Sequence, residues 1–295
     1  MTTRPTGPGR RLLRHAAPLL CALLLAVPTS ALAQAEGAVH WAYAGFLGSG
    51  WYRIGGDLDV FLLTVPPSWK WREPDPSTEG FGRVGVRFEV PVTLGVYRLY
   101  ELDEILDVDN LGTISVAPGV ELEYPVSDRW ALKAVAHVGW GTGVGEAIDE
   151  SAWSWDASLR SRYAFRAGAL DWGIVGELFY AAYRTDGDDR GSLGGFLAAA
   201  DFSLPVPLRS GTGEPLRLNW DVGYRWLADD LTFLPRRGAP QSVDDEWQLG
   251  VAFARRAGLI RIGPLQFEQI GLAWGFSSDG EFRAVTLNFN APFSR

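Results

Sequence analysis

Beyond residue 33 the chain holds two histidines, His40 and His137, and no cysteine, because Cys21 lies upstream of that point. A general base works only when its partner is within hydrogen-bond reach. His40 has Ala38 and Ala42 two positions either side, and His137 has Val135 and Gly139, so neither forms a His-x-Ser or an Asp-x-His pair. Gly80-x-Gly82-x-x-Gly85 matches the dinucleotide fingerprint in letters, but it opens a strand-like run where the motif must end one and start a helix. Asp107-x-Asp109 with Gly112 imitates a calcium loop, yet Leu111 and Pro118 stand where the fifth and twelfth ligands belong. The expectation is therefore no catalytic residue, no metal and no cofactor.

What the sequence does offer is charge of both signs, set on polar positions that alternate with apolar ones. Arg83, Arg87, Glu89, Glu121, Glu123, Lys133, Asp156, Arg160, Arg162, Asp171, Glu177, Asp201, Arg217, Asp221 and Arg225 all fall on such rows. Facing a common interior, they would line an aqueous, charge-balanced path or simply stabilise one another. Across the short turn at 125–128, two registers keep both apolar faces on one side. One sets Glu121 opposite Lys133 and the other Glu123 opposite Arg129, with a carboxylate-cation pair in each. His137 is expected on the same interior face and His40 near a rim.

The elements that must carry these residues are strands. Val84, Val86, Phe88, Val90, Val92, Leu94 and Val96 alternate with Arg83, Gly85, Arg87, Glu89, Thr93 and Gly95, and Leu216 to Trp226 repeats the pattern as cleanly. The runs reach the 9 to 11 or more residues of a tilted membrane-spanning strand, beyond the ~5 to 6 of a soluble sandwich. Counting weaker stretches at 39–47 and 51–64, twelve strands are expected, an even number as bacterial barrels have. The fold class is thus all-β, a transmembrane antiparallel up-and-down barrel. Trp130 and Trp140 share a face ten residues apart, which at ~3.3 Å per residue and ~40° tilt separates them by about 25 Å, the height of a lipid-facing band. Trp130, Trp140, Trp153, Trp172, Trp226 and Trp247 are the candidate aromatic girdle. Short turns at 125–128, 166–169 and 255–258 alternate with longer, largely acidic loops. The long stretch 66–80, with Pro91 and Pro118 inside expected strands, breaks the scheme and calls for bulges.

The ends agree with export. Arg4, Arg10, Arg11 and Arg14 precede an apolar stretch, 16–27, and Ala31-Leu32-Ala33 offers a small-x-small cleavage site. Residues 1–33 read as a cleaved signal peptide and 34–295 as one barrel domain. Removing the signal's four arginines from 27 basic residues leaves 23 against 35 acidic, a net charge of −12, which speaks against a nucleic-acid partner.

The runs Gly-Val-Arg-Phe-Glu-Val-Pro-Val-Thr-Leu-Gly (85–95) and Ser-Val-Ala-Pro-Gly-Val-Glu-Leu-Glu-Tyr-Pro-Val-Ser-Asp-Arg-Trp-Ala-Leu-Lys (115–133) resemble the solitary outer-membrane autotransporter-type β-barrel family. So do 153–163, Gly176-Glu177-Leu178 with Tyr180-Ala181-Ala182-Tyr183, and Asn290-Ala291-Pro292-Phe293. The resemblance implies a twelve-stranded barrel similar to an autotransporter translocator but without a secreted passenger, and it implies no known activity or cargo. Only residues 34–37 precede the first expected strand, too few for a cargo domain. Val285, Leu287 and Phe289 would form the closing strand's lipid-facing row. Phe293 resembles the terminal aromatic of an assembly signal, although Ser294 and Arg295 follow it. The partners implied are outer-membrane lipid and lipopolysaccharide, with the barrel assembly machinery and periplasmic chaperones during biogenesis. The expected location is the outer membrane. A non-catalytic translocator-like barrel with a narrow charge-lined pore competes with a passive diffusion channel, with an outer-membrane enzyme acting on lipid or lipopolysaccharide, and with a soluble periplasmic β-protein. The 101–109 stretch, with Leu102, Ile105 and Leu106 at helical spacing, is a candidate constriction loop.

Overall fold

Alternation of apolar and polar residues over fifteen or more positions leaves the chain one way to bury its polar face: the sheet must curl until it meets itself. The computed structural model shows this closure. It describes residues 47–54, 58–78, 80–99, 111–144, 151–210, 213–233, 241–255, 259–262 and 265–294. The expected strand at 39–47 falls outside them apart from Leu47, and the 101–109 stretch and His40 fall outside entirely.

The chain runs through β1 (Gly50–Ile54), β2 (Leu58–Val65), β3 (Ser68–Arg72), β4 (Gly85–Glu89), β5 (Val92–Leu99), β6 (Leu111–Val116) and β7 (Gly119–Pro125). The long strands follow: β8 (Trp130–Val144), β9 (Ser151–Ala167), β10 (Leu170–Thr185), β11 (Arg190–Arg209), β12 (Pro215–Phe233) and β13 (Gln241–Arg255). A small hairpin, β14 (Ile260–Ile262) with β15 (Leu265–Phe267), precedes β16 (Gln269–Phe276) and the closing strand β17 (Phe282–Leu287). Every pairing is antiparallel, and the ring closes where β17 pairs with β1, Trp51 opposite Val285.

Twelve wall strands account for all these elements except the small hairpin, because three of them are each broken in two. β2 continues as β3, β4 as β5 and β6 as β7, with Pro66-Pro67, Pro91 and Pro118 at the breaks. Register puts the breaks side by side, since Val65 pairs with Val92 and Val92 with Val116. A proline cannot donate, but its carbonyl still accepts. Val90 N–H donates to Pro67 O at 2.9 Å, Ala117 to Pro91 at 3.0 Å and Val138 to Pro118 at 3.0 Å. The wall therefore bends along one proline row without losing continuity. The 66–80 stretch is not the plain loop the sequence suggested, because β3 occupies its first half and extends the second wall strand.

The polarity of the wall is inverted relative to a soluble protein. Trp51, Phe61, Leu94, Val138, Ile174, Leu178, Leu249, Val251, Leu272 and Trp274 are exposed on the outer face, while Glu121, Lys133, Asp201 and Asp221 are buried within. Such a surface fits lipid on its outside. At the end where β1 begins and β17 finishes, here the terminal end, the connections vary: β9 to β10 is tight, whereas the short turn expected at 255–258 leads into the β14–β15 hairpin before β16. Gly168, at φ 61°, takes the left-handed conformation in the two-residue turn joining Ala167 to its partner Leu170. The opposite end, the loop end, carries the turns at 186–189 and 277–281.

Candidate functional site

The interior is the site the fold constructs, and it is divided into two chemically different halves. In the terminal half the polar rows converge into ion pairs. Lys133, 1% exposed, sits 3.1 Å from Glu121 and 3.9 Å from Glu123. Glu123 is its cross-strand partner, so the register differs from both expected ones: Glu121 stands opposite Val135. Arg87 lies 3.6 Å from Glu121, 3.7 Å from Glu89 and 3.9 Å from Glu268, tying β4 to the segment before β16. Arg160 binds Glu177 at 2.7 Å, and Arg162 grips Asp201 through both nitrogens at 2.6 and 2.9 Å. Nearer the loop end Arg225 pairs with Glu246, its guanidinium 5.9 Å from the Phe179 ring.

A second network crosses the wall as a chain of single hydrogen bonds. Arg217 donates to Asp171 at 2.7 Å and to Ser203 at 2.7 Å; Ser203 donates to Asn219 at 2.6 Å. Asn219 then donates to Gln269 at 2.8 Å, Gln269 to Asn288 at 2.8 Å, and Asn288 to Asp221 at 3.1 Å. Gly250 makes room for the last link: a Cβ there would stand 2.3 Å from the Asp221 carboxylate and 2.6 Å from the Asn288 amide. Asn219 falls on the polar row that alternation marks in its strand; Ser203, Gln269 and Asn288 are not among the residues the sequence singles out, although Ser203 and Gln269 lie on the inward rows of β11 and β16 and Asn288 continues that of β17.

His137 lies in the charged half. Its Nδ1 is 2.8 Å from Asp156, directly opposite on β9, and its Nε2 is 3.5 Å from Glu89. Gly119 must be glycine for the ring to fit, since a Cβ would come within 2.0 Å of it. Carboxylates face both ring nitrogens, an arrangement that holds the imidazole between β4 and β9.

The rest of the interior in the loop half is mainly apolar. Tyr52, Ile54, Val60, Leu62, Leu193 and Phe282 are all nearly inaccessible and pack with Leu47, Tyr183, Leu227 and Val243 into one cluster, with Phe179 against it. Ile54, Tyr183 and Phe282 are among the inward residues nearest the loop-end turns. The expectation of a lumen polar throughout is corrected here. Strand parity assigns inward positions, and apolar residues occupy those positions wherever the interior is packed instead of wet.

Three other expected placements change. Arg83 lies in the turn Gly80–Arg83 and sets its guanidinium 5.5 Å from the Tyr124 ring on the outward row, outside the charged cluster. Asp245, expected in an acidic loop, is buried in β13 and accepts from the Ser278 N–H at 2.8 Å. Phe293 does not extend the outward row of β17, which ends at Leu287. The turn Pro292–Ser294 folds back so that Phe293 packs inside against Val175, Leu197 and Ala199, its ring 4.7 Å from the Lys133 ammonium. Val285 and Leu287 are exposed outward, and Phe289 stacks on Phe267 at 4.5 Å.

Of the girdle candidates, Trp130, Trp140, Trp153, Trp226 and Trp247 are exposed on the outer face, with Trp140 and Trp153 direct cross-strand partners. Trp172 stands in a ladder of near-parallel rings, Phe165, Trp172, Phe202 and Trp220, with neighbouring centroids 4.1, 6.2 and 5.4 Å apart across β9 to β12.

The fold and its interior thus define a closed twelve-stranded antiparallel barrel of membrane-protein polarity. No family model matches the sequence, and no curated protein does. Among solved structures the chain is similar to the translocator domain of the autotransporter NalP from Neisseria meningitidis, at 12% identity over 80% of this chain and 82% of that one, TM-score 0.49. It is similar to the β-domain of the Bordetella autotransporter BrkA, at 12% identity over 81% and 91%, TM-score 0.45. The transport unit of AIDA-I from Escherichia coli aligns at 11% identity over 93% and 98%, TM-score 0.40.

Proposed function

We propose that this chain is an integral outer-membrane β-barrel of the translocator-like kind, without catalytic machinery, whose lumen is closed at rest. The observation that supports it best is the inverted polarity: outward Trp, Leu and Val on a closed sheet around a buried Lys133–Glu121 pair. A lipid-spanning sheet must pair every backbone group and so must close, and this one closes through β1 and β17. The apolar cluster in the loop half argues against a general diffusion channel, because a water-filled path would have to pass Tyr52, Leu193 and Phe282. The loop end faces outward in this reading and the terminal end faces the periplasm.

Purified full-length chain, folded into lipid vesicles, should migrate differently on a gel with and without boiling and should conduct poorly across a planar bilayer. Recovery in a soluble periplasmic fraction with unchanged mobility would overturn the membrane reading. A large, steady conductance would overturn the closed lumen and favour the channel.

A further inference from the structure

We propose that the outer face of the loop end carries two binding places for the phosphate of a lipid headgroup. One is formed by Arg53 and Arg283 at the β1–β17 seam, the other by Arg184 and Arg190 on the far side of the barrel. The proposal rests on the membrane reading above and deepens it by naming where the lipid is held.

In register Arg53 stands directly opposite Arg283, and Arg184 directly opposite Arg190. Like charges in such positions repel. Inside the barrel each cation of the Lys133 and Arg160 pair has its own carboxylate. At each of the two outer-face places one carboxylate is bound directly to one arginine of the pair. Asp59 takes Arg53 through both oxygens, at 2.9 and 3.3 Å, and Asp188 takes Arg184, which holds the Asp188 carboxyl below the usual range. Arg283 and Arg190 are exposed and make no salt bridge among the described residues, the Arg190 charge acting on Asp188 from beyond Arg184.

Both pairs also lie at the edge of the apolar wall. On β17 the outward row runs Leu287, Val285 and then Arg283; on β1 it runs Trp51 and then Arg53. The arginines are one step beyond the apolar band, at the level where headgroup phosphates lie. Each pair has an outward tryptophan beside it: Arg53 lies 4.8 Å over the Trp51 ring, and Trp153 is the β9 register partner of Arg184. Interfacial tryptophan with a planar guanidinium beside it suits a phosphodiester whose acyl chains continue down the apolar wall. At the seam a concavity of about 200 Å³ opens between Arg53, Gly280, Glu281 and Arg283.

The test is lipid retention by the full-length barrel, taken from phosphatidylcholine vesicles doped with phosphatidic acid and read by native mass spectrometry. Wild type should retain phosphatidic acid selectively at two places. R283Q and R190Q should each lose one, and the double variant both, with phosphatidylcholine retention unchanged. Retention by the double variant equal to wild type would overturn the proposal, as would an equal loss from R209Q at the terminal end. Competition by inorganic phosphate separates the two sources of the ligand: retention that persists supports a lipid site, whereas displacement by phosphate alone overturns it. Failure of the wild-type chain to insert into vesicles would remove the membrane reading itself, whereas insertion without selective retention removes only this proposal.

Discussion

Asn288, the first residue past the closing strand, donates its side-chain amide to Asp221 in the middle of β12, and both are buried. The bond joins the end of the chain to a wall strand that is not its neighbour, with Gln269 holding the other side of the same amide at 2.8 Å. Closure of the ring is therefore secured from inside as well as by the β1–β17 ladder.

Asn288→Leu removes the acceptor of the Gln269 amide and one donor to Asp221, at a cost of about 1 to 3 kcal/mol. Gly250→Val should displace the same link by bulk alone. Both variants should lose the fast-migrating folded band at a lower temperature than wild type in a gel-shift melt. An unchanged midpoint in both would show that the link contributes nothing to closure.

Lys133→Met leaves the buried Glu121 with Arg87, 3.6 Å away, as the cation that remains beside it, and should cost up to about 3 to 5 kcal/mol, as breaking a buried pair does. The double replacement Lys133→Met with Glu121→Gln should recover part of that loss in urea unfolding from vesicles. Equal destabilisation in the single and double variants would mean that packing around Lys133, including Phe293, matters more than its charge.

Leu272 faces outward between Val251 and Leu287 on neighbouring strands. Leu272→Arg should reduce the membrane-inserted fraction, with a penalty of up to about 4 kcal/mol near the bilayer centre. Leu272→Phe should insert normally. Wild-type insertion of the arginine variant would refute the lipid-facing placement.

Neutralising Arg87, Arg160 and Arg162 together should alter conductance little, because the charged half is in series with the apolar one. Tyr52→Ala with Phe282→Ala, which opens the apolar half, should raise it. Planar-bilayer recording of the two variants decides which half limits passage, and a rise in the first variant alone would reverse the assignment.

Much of the wall was legible from alternation. β8 to β13 are long, and their outward rows of Trp, Leu and Val stand out whatever the register. Prolines 91 and 118 announced the interruptions, though not that the breaks align. Less legible was the interior. Tyr183, Leu193 and Phe282 face inward at positions a polar-lumen rule reserves for charge, and their role depends on which strands meet across the barrel, which no single strand encodes. The Glu123–Lys133 register was missed for a related reason: it preserves the same faces as its alternatives, so hydrophobic pattern cannot choose among them. The buried amides Gln269 and Asn288 carry no charge signal and gain their meaning only from each other.

Among the described residues the strands of the wall are also unequal in length. Five residues of β1 rise only about 13 Å at ~3.3 Å per residue and ~40° of tilt, while the sixteen of β10 rise about 40 Å. A bilayer around this barrel meets a tall side and a low one, and lipid tails beside the seam must shorten, tilt or disorder to match it. The protein would thus impose a gradient of membrane thickness on its surroundings, thinnest where β1 meets β17, and an embedded barrel of this shape is a local source of bilayer strain.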